Sequence, residues 1–180
     1  MQILYGGPNI ISLHDIARDE ASQTPCLIFE YMANANSSPS AVFSKFKDID
    51  CRHYMFQLLL ALDYAHSNGI MLRDVKPQNI MFDCLSKKLK LIDWGLAEFY
   101  IPNQSYNVRV ASRFYKSPEL LVDDTQYHYG LDVWSAGCTM AEIKLDDKPV
   151  RSESCHMEEL DDEVVLYNPV NNKTLYINKS

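Results

Sequence analysis

The sequence predicts an α+β fold, and three observations carry that expectation. Apolar runs of strand length, loosely alternating, occupy the start of the chain. From Asp48 the apolar period changes to helical spacing, and a second helix-length apolar stretch runs from Gly130 to Ile143. The chain has 180 residues, enough for one domain with a real core, and its 47% hydrophobic and 23% charged content is that of a soluble globular protein.

Taken in order, Met1 to Tyr5 is a short apolar start and Gly6-Gly7-Pro8-Asn9 is turn chemistry. Ile10 to Ile16 and Cys26 to Met32 read as two strands joined by the polar turn Arg18 to Thr24, hence a hairpin. A two-stranded hairpin is marginal in water, so these strands need partners. Residues 33–40 are small and polar, broken by Pro39, and read as a loop or a poorly formed helix start. Ile49, Tyr54, Met55, Leu58, Leu59, Leu62 and Ala65 then recur at helical spacing. Asp48 or Asp50 is the expected N-cap, Gly69 closes the helix, and the stripe reads as core. Asn79 to Phe82 and Leu89 to Ile92 are expected as short strands flanking 83–88. Gly130 to Ile143 is apolar nearly all round, which predicts a buried helix. Near the end, Glu158, Glu159, Asp161, Asp162 and Glu163 form an acidic run, followed by a candidate hairpin of Val164 to Tyr167 with Thr174 to Ile177. The acidic run reads first as a solvated face; a sharper expectation sets it against the cations of 109–116 as a substrate mimic.

The net charge of −7 argues against a nucleic-acid surface as the main business. Five cysteines, odd in number and without a Cys-x-x-Cys pair, point to free thiols in a reducing compartment. The five histidines lack metal-ligand spacing. No signal peptide and no apolar run of bilayer length is visible, so an intracellular protein without a membrane partner is expected.

The stretch that organises the rest runs from Ile70 to Gly95. It reads Ile-Met-Leu-Arg-Asp-Val-Lys-Pro-Gln-Asn over 70–79 and Leu-Ile-Asp-Trp-Gly over 91–95. Phosphoryl transfer wants this arrangement. Asp74 can accept a proton from an attacking hydroxyl, and Lys76 can neutralise charge on the moving phosphate. Asn79 and Asp93 offer hard oxygen ligands to a magnesium ion bridging the phosphates. The whole set, Asp-x-Lys-x-x-Asn followed by a short hairpin and Asp-aromatic-Gly, resembles the catalytic loop and metal-binding motif of protein kinases.

Across Gly6 to Ile143 the sequence resembles one kinase family closely, the catalytic (alpha) subunit of casein kinase II. The segments that carry the likeness are Gly6 to Ile11, Ala61-Leu62-Asp63-Tyr64, Ile92 to Tyr100 and Tyr106 to Arg113. Trp94, where most kinases carry Phe, is a mark of this family. The resemblance implies a protein-kinase-like fold, mostly the helical C-lobe with two strands of the N-lobe. The implied segments are 1–32 (N-lobe remnant and hinge), 33–148 (C-lobe core) and 149–180 (divergent acidic tail). It implies Asp74 as catalytic base, Lys76 and Asn79 beside it, and Asn79 with Asp93 as metal ligands. Glu30 to Met32 would meet the purine of ATP or GTP, with Met81 and Ile92 as the pocket floor. Asp132 would anchor the catalytic loop. Arg109, Arg113 and Lys116 would read acidic side chains next to the target Ser or Thr; a solvated basic face is the plainer reading of these three cations.

The departures qualify those implications. The chain reads as starting at the family's fourth small-lobe strand, and it contains no Gly-x-Gly-x-x-Gly loop. The strand Lys and helix Glu that position the nucleotide are expected to be missing, together with the family's later helices. Leu72 stands where the family has His, and Ser117 where it has Gly. The expected function is therefore Ser/Thr phosphorylation of acidic proteins from Mg–ATP or Mg–GTP, weak or absent in this chain alone. The alternative is a non-catalytic pseudokinase or decoy that binds acidic substrates or kinase partners. The implied partners are acidic proteins, the casein kinase II regulatory (beta) subunit or a chaperone; the implied location is nucleus or cytoplasm.

Overall fold

A computed structural model describes residues 1–32, 42–43 and 45–145, and the backbone alone of three strands within 156–178. The chain divides into two compact units, Met1–Asp146 and Asp147–Ser180. Residues 1–32 share the first unit with the helical body.

The first unit opens on a 3-10 turn, Gln2–Leu4, then Gly6 in the left-handed region (φ 77°). Gly7 follows because a Cβ there would lie 2.6 Å from the Tyr64 ring. The antiparallel pair β1 (Leu13–Arg18) and β2 (Pro25–Phe29) forms the expected hairpin. Its first strand is displaced from the expected range because Ile10 and Ile11 pair elsewhere, with Leu91. Proline opens β2, a position where its missing N–H is tolerated. Almost every residue of the hairpin is exposed, including Ile16, Leu27 and Ile28.

Helix α1 (Asp48–Ser67) carries the core. Its N-cap is Lys47, neither Asp48 nor Asp50. Asp50 instead reaches back from the first turn to accept the Lys47 N–H at 3.0 Å. Asn68 caps the C-terminus and Gly69 follows at φ 75°, the left-handed residue expected there. Tyr54, Met55, Leu58, Leu62 and Ala65 are buried as their spacing predicts, with Cys51 and Ala61 added. Ile49 and Leu59 fall on the outer face and are exposed. Among the described residues, the apolar stripe is wider than the surface packed against it.

Two antiparallel strand pairs then frame the central motif. β3 (Ile70–Met71) pairs with β6 (Glu98–Phe99), a pairing the sequence did not suggest. β4 (Ile80–Asp83) pairs with β5 (Lys88–Leu91), each one residue away from the expected span. Gln57 of α1 pins this hairpin: its side chain accepts the Leu89 N–H at 2.9 Å and donates to the Lys87 carbonyl at 2.9 Å. Lys87 also pairs with Asp50 at 2.6 Å. Phe82 meets Tyr54 edge to face, Phe46 stacks on Tyr54, and Phe46 and Phe82 also meet edge to face, so the three rings form one cluster.

A short helix α2 (Pro118–Leu121) leads to helix α3 (Gly130–Leu145). α3 packs on α1 and on the 3-10 turn Arg113–Tyr115. Leu131, Asp132, Ser135, Ala136, Thr139 and Ile143 are buried, but Val133 and Trp134 are half-exposed. The helix is thus one-sided, not buried all round: its apolar content exceeds the described surface packed against it. A second, smaller core joins Met71, Tyr106, Val110, Leu120, Tyr127 and Leu131.

The second unit is an antiparallel meander of β7 (His156–Leu160), β8 (Glu163–Asn168) and β9 (Lys173–Asn178). The β8–β9 hairpin was expected; β7, drawn partly from the acidic run, was not. The side chains of that run lie outside the described residues, and with them the substrate-mimic idea. Among the described residues no helix is long and apolar enough to cross a membrane.

Candidate active site

The site is built on the turn between β3 and β4. Arg73 has a left-handed backbone (φ 67°), an uncommon conformation for a residue with a Cβ. Asp132, fully buried on α3, holds this turn. Its Oδ2 accepts the Leu72 N–H at 2.8 Å and its Oδ1 the Arg73 N–H at 2.7 Å. The His66 ring lies on the same carboxylate, with Nε2 2.9 Å from Oδ2. The anchoring role expected of Asp132 thus has a concrete geometry, acting on backbone donors. Leu72 itself is fully buried in the core, an apolar filler at the position where the resemblance leads one to look for His.

Arg73 spreads its guanidinium over three partners. Nε donates to the Leu96 carbonyl at 2.7 Å, Nη1 to Tyr127 Oη at 3.1 Å, and Nη2 lies 3.7 Å from Glu98. Tyr127 in turn donates to the Asn107 carbonyl at 2.7 Å. Burial pushes the Tyr127 phenol up, against the opposing hydrogen bond and charge of Arg73, so it stays a donor. One side chain therefore ties together the turn between β3 and β4, the segment after Trp94 and the loop at 107.

Asp74, next in sequence, is nine-tenths buried at its side chain. Lys76 Nζ and Asn79 Nδ2 both donate to its Oδ2, at 2.7 and 2.9 Å. Asn79 also donates to the Asp74 carbonyl at 2.9 Å, from a 3-10 turn, Pro77–Asn79, whose proline presets the bend. The other carboxylate oxygen, Oδ1, meets a hydroxyl: Ser112 Oγ at 3.2 Å, itself 3.0 Å from Lys76 Nζ. A base, a cation and a hydroxyl close a ring. The Ser112 hydroxyl stands within the distance a general base requires of the proton it is to take.

Asp93 follows β5 in a left-handed conformation (φ 53°), exposed, with Oδ1 accepting the Gly95 N–H at 3.2 Å. The Ile92 N–H donates to the Asn79 carbonyl at 2.9 Å, so Asn79 and Asp93 are brought to adjoining segments. Asn79 donates twice to Asp74 through Nδ2, which leaves its side-chain oxygen as a possible ligand atom. Among the described residues no three His, Cys, Asp or Glu side chains converge to hold a metal. A magnesium ion needs no such cage, because it is commonly held by one or two carboxylates and the substrate's phosphates. The oxygen pair Asn79 and Asp93 fits that donor set.

The residues expected at the purine fare differently. Met81 and Ile92 are half-buried on β4 and just after β5. Met32 lies at the end of the segment after β2, half-buried. The Glu30 side chain turns back, accepting the Ser12 N–H at 2.7 Å and pairing with Lys90 at 2.8 Å. Burial raises the Glu30 carboxyl, but the hydrogen bonds from Lys90 and Ser12 and the Lys90 charge bring it below the ordinary range. Lys90 also donates to the Ile10 carbonyl at 3.1 Å, clasping the hairpin to β5.

Of the three cations expected to read acidic substrates, Arg109 and Arg113 are exposed. Lys116 is half-buried and donates to the carbonyls of Val108 and Val110 at 3.2 and 2.5 Å. It holds the loop on which Arg109 stands. Ser112, Arg73, His66 and Lys90 were not picked out from the sequence as site residues. Ser112 carried a signal in its place within Val-Ala-Ser-Arg, and Arg73 in its place directly before Asp74 in the 70–79 stretch.

A buried carboxylate presented to a hydroxyl, a lysine beside it, and two oxygen donors on adjoining segments can accept a proton and steady a phosphate. The sequence matches the Protein kinase domain family over residues 1–178, nearly the whole chain, and the chain belongs to that family.

Proposed function

We propose that the chain is a serine/threonine protein kinase of the casein kinase II catalytic-subunit type, directed at hydroxyls in acidic surroundings. The observation that supports this reading best is the ring of Asp74, Lys76 and Ser112, in which one carboxylate oxygen is held by Lys76 and Asn79 and the other faces a hydroxyl. Asp74 accepts the proton of the acceptor hydroxyl. Lys76 offsets negative charge on the phosphoryl group in flight. Asn79 orients Asp74 and, with Asp93, would hold a magnesium ion, which would supply neutralisation of phosphate charge. Arg109 and Arg113, exposed on the segment that also delivers Ser112, supply the positive surface for an acidic peptide. Trp94 after Asp93 and the Val-Ala-Ser-Arg segment support the casein kinase II assignment over other kinases. The helical body then corresponds to a kinase large lobe and β1–β2 to part of the small lobe. The exposed apolar hairpin favours a protein partner, a regulatory subunit or a chaperone, and this reading places the protein in nucleus or cytoplasm.

A second reading, a binder without catalysis, draws on the hairpin: β1 and β2 carry no lysine, and Glu30 is engaged by Lys90. Lys76 is then the sole lysine at the Asp74 site to meet a nucleotide's phosphates among the described residues. One experiment separates the two. The purified chain is mixed with Mg–ATP and an acidic Ser peptide, phosphate incorporation is followed by mass spectrometry, and peptide binding by fluorescence anisotropy. Slow transfer that disappears in Asp74→Asn supports the kinase. Binding lost in Arg109→Glu/Arg113→Glu, without transfer, supports the binder. Acidic and basic peptides bound alike, with no transfer, would remove both.

A further inference from the structure

Helix α1 turns a second apolar face away from the core. At about 3.6 residues per turn, Ile49, Arg52, Phe56, Leu59, Leu60 and Asp63 share the side opposite the buried stripe. Ile49 and Phe56 are 69% and 61% exposed, and Leu59 and Leu60 are exposed as well. Four apolar side chains on one exposed helix face make a contiguous patch, not scattered exposure. Beside its N-terminal half lies a cleft of about 610 Å³ between Ile49, His53, Phe56 and Lys87. Asp50 and Lys87 offset each other there at 2.6 Å, which leaves Ile49 and Phe56 as apolar walls. The face also carries opposite charges at its two ends, Arg52 near the start of the helix and Asp63 near its close. Arg52 pairs with Asp48 on its own helix at 2.7 Å, an exposed pair of little strength. The exposed Asp63 carboxylate has no partner among the described residues.

We propose that this face is an interface between two copies of the chain, packed α1 against α1 in antiparallel fashion about a two-fold axis. Self-complementarity singles out a second copy as the occupant. A two-fold contact uses the same patch on both sides, so every residue must find its partner within that patch. Setting Arg52 against the partner's Asp63 places the axis midway, between Phe56 and Leu59. The same register brings Phe56 opposite the partner's Leu59, and the partner's Leu60 over the cleft between His53 and Phe56. Each of these relations occurs twice. Arg52 and Asp63 are about three turns, roughly 16 Å, apart along the helix. Two ion pairs therefore flank an apolar centre of Phe56, Leu59 and Leu60 from both copies, the apolar core and polar rim of protein interfaces. One pair of helices is a small contact, so a weak dimer with a micromolar dissociation constant is expected. The pairing holds whether or not the chain transfers phosphate.

Sedimentation velocity of the full 180-residue chain over a concentration series reads the dimer. Arg52→Glu and Asp63→Lys should each weaken it about tenfold, because each sets like charges together twice. The double variant Arg52→Glu/Asp63→Lys should recover the wild-type affinity. These positions are exposed, so folding, checked by circular dichroism, should be unchanged. Leu60→Lys, which drives a charge into the apolar centre, should leave only monomer. Association indifferent to all of these variants would place the contact on another surface, such as the exposed Val133 and Trp134, and overturns the proposal. Monomer at every concentration also overturns it and leaves the face to a different protein. Weakened single variants without recovery in the double variant overturn the Arg52–Asp63 register and the antiparallel pairing with it.

Discussion

Replacing Asp132 by Ala should cost stability out of proportion to its size, because the carboxylate is the sole acceptor shown for two buried backbone donors. Leu72 is fully buried and Arg73 nearly so, and their N–H groups lie 2.8 and 2.7 Å from Asp132. An orphaned buried donor costs about 1–3 kcal/mol, so two amount to roughly 2–6 kcal/mol. His66 can turn to water and adds little. Removing a buried charge returns part of the cost through relieved desolvation. The left-handed backbone of Arg73, worth about 1 kcal/mol of strain, loses the bond that holds it. A net loss of about 3–4 kcal/mol follows, a large share of the roughly 5–15 kcal/mol typical of a domain. With a urea slope of about 2 kcal/mol per molar, the midpoint should fall by about 1.5–2 M. Urea titration followed by Trp94 and Trp134 fluorescence reads this directly. Asp132→Asn, which keeps one acceptor oxygen, should fall between wild type and Ala and remains measurable if the Ala protein does not fold. A midpoint within about 0.3 M of wild type for Ala, at unchanged slope, would refute the account of Asp132 as the clamp on the turn between β3 and β4.

Four further outcomes can be checked. Mg–ATP should bind the isolated chain only in the millimolar range, on the order of −4 kcal/mol, because one lysine meets its phosphates at the Asp74 site; a micromolar constant by calorimetry contradicts that. Lys116→Met should loosen the 108–116 loop and raise its protease sensitivity, whereas Arg109→Met should not, since only Lys116 is shown holding the Val108 and Val110 carbonyls. Glu30, lowered in the folded state, contributes stability that is present above its unfolded value near 4.3 and lost as pH falls through the folded value. The thermal midpoint of wild type should therefore drop relative to Glu30→Gln on acidification below about pH 4.5, and a difference that stays flat with pH would mean that the Lys90 clasp contributes nothing. Finally, the half-exposed Val133 and Trp134 and the open hairpin should make the chain self-associate. Val133→Ser with Trp134→Arg should raise the monomer fraction, and a monodisperse wild-type monomer melting cooperatively above about 55 °C would show the surface to be harmless.

How far the sequence reaches is clearest at α1 and the catalytic stretch. Tyr54, Met55, Leu58, Leu62 and Ala65 announce a helix because a 3.6-residue period is local, and Gly69 announces its end because only a left-handed residue follows it comfortably. Asp74, Lys76, Asn79 and Asp93 stand out in the sequence as a candidate set because their types and spacing suit phosphoryl chemistry, and the fold joins the first three in one hydrogen-bonded cluster. What tertiary structure alone decided are relations between distant segments. Ser112, 38 residues from Asp74, becomes its hydrogen-bond partner only once the segment after β6 folds back. Ile10 and Ile11 leave the predicted strand because Leu91 offers a better-placed partner. Val133 and Trp134, apolar in sequence, stay half-exposed because burial depends on what packs opposite, which no local pattern records. Lys116 and Glu30, plausible ligand contacts by position, turn to backbone carbonyls and to Lys90, because a charged group takes the nearest partner the fold presents. Local geometry and chemistry are written along the chain; the choice among partners is made only where the chain meets itself.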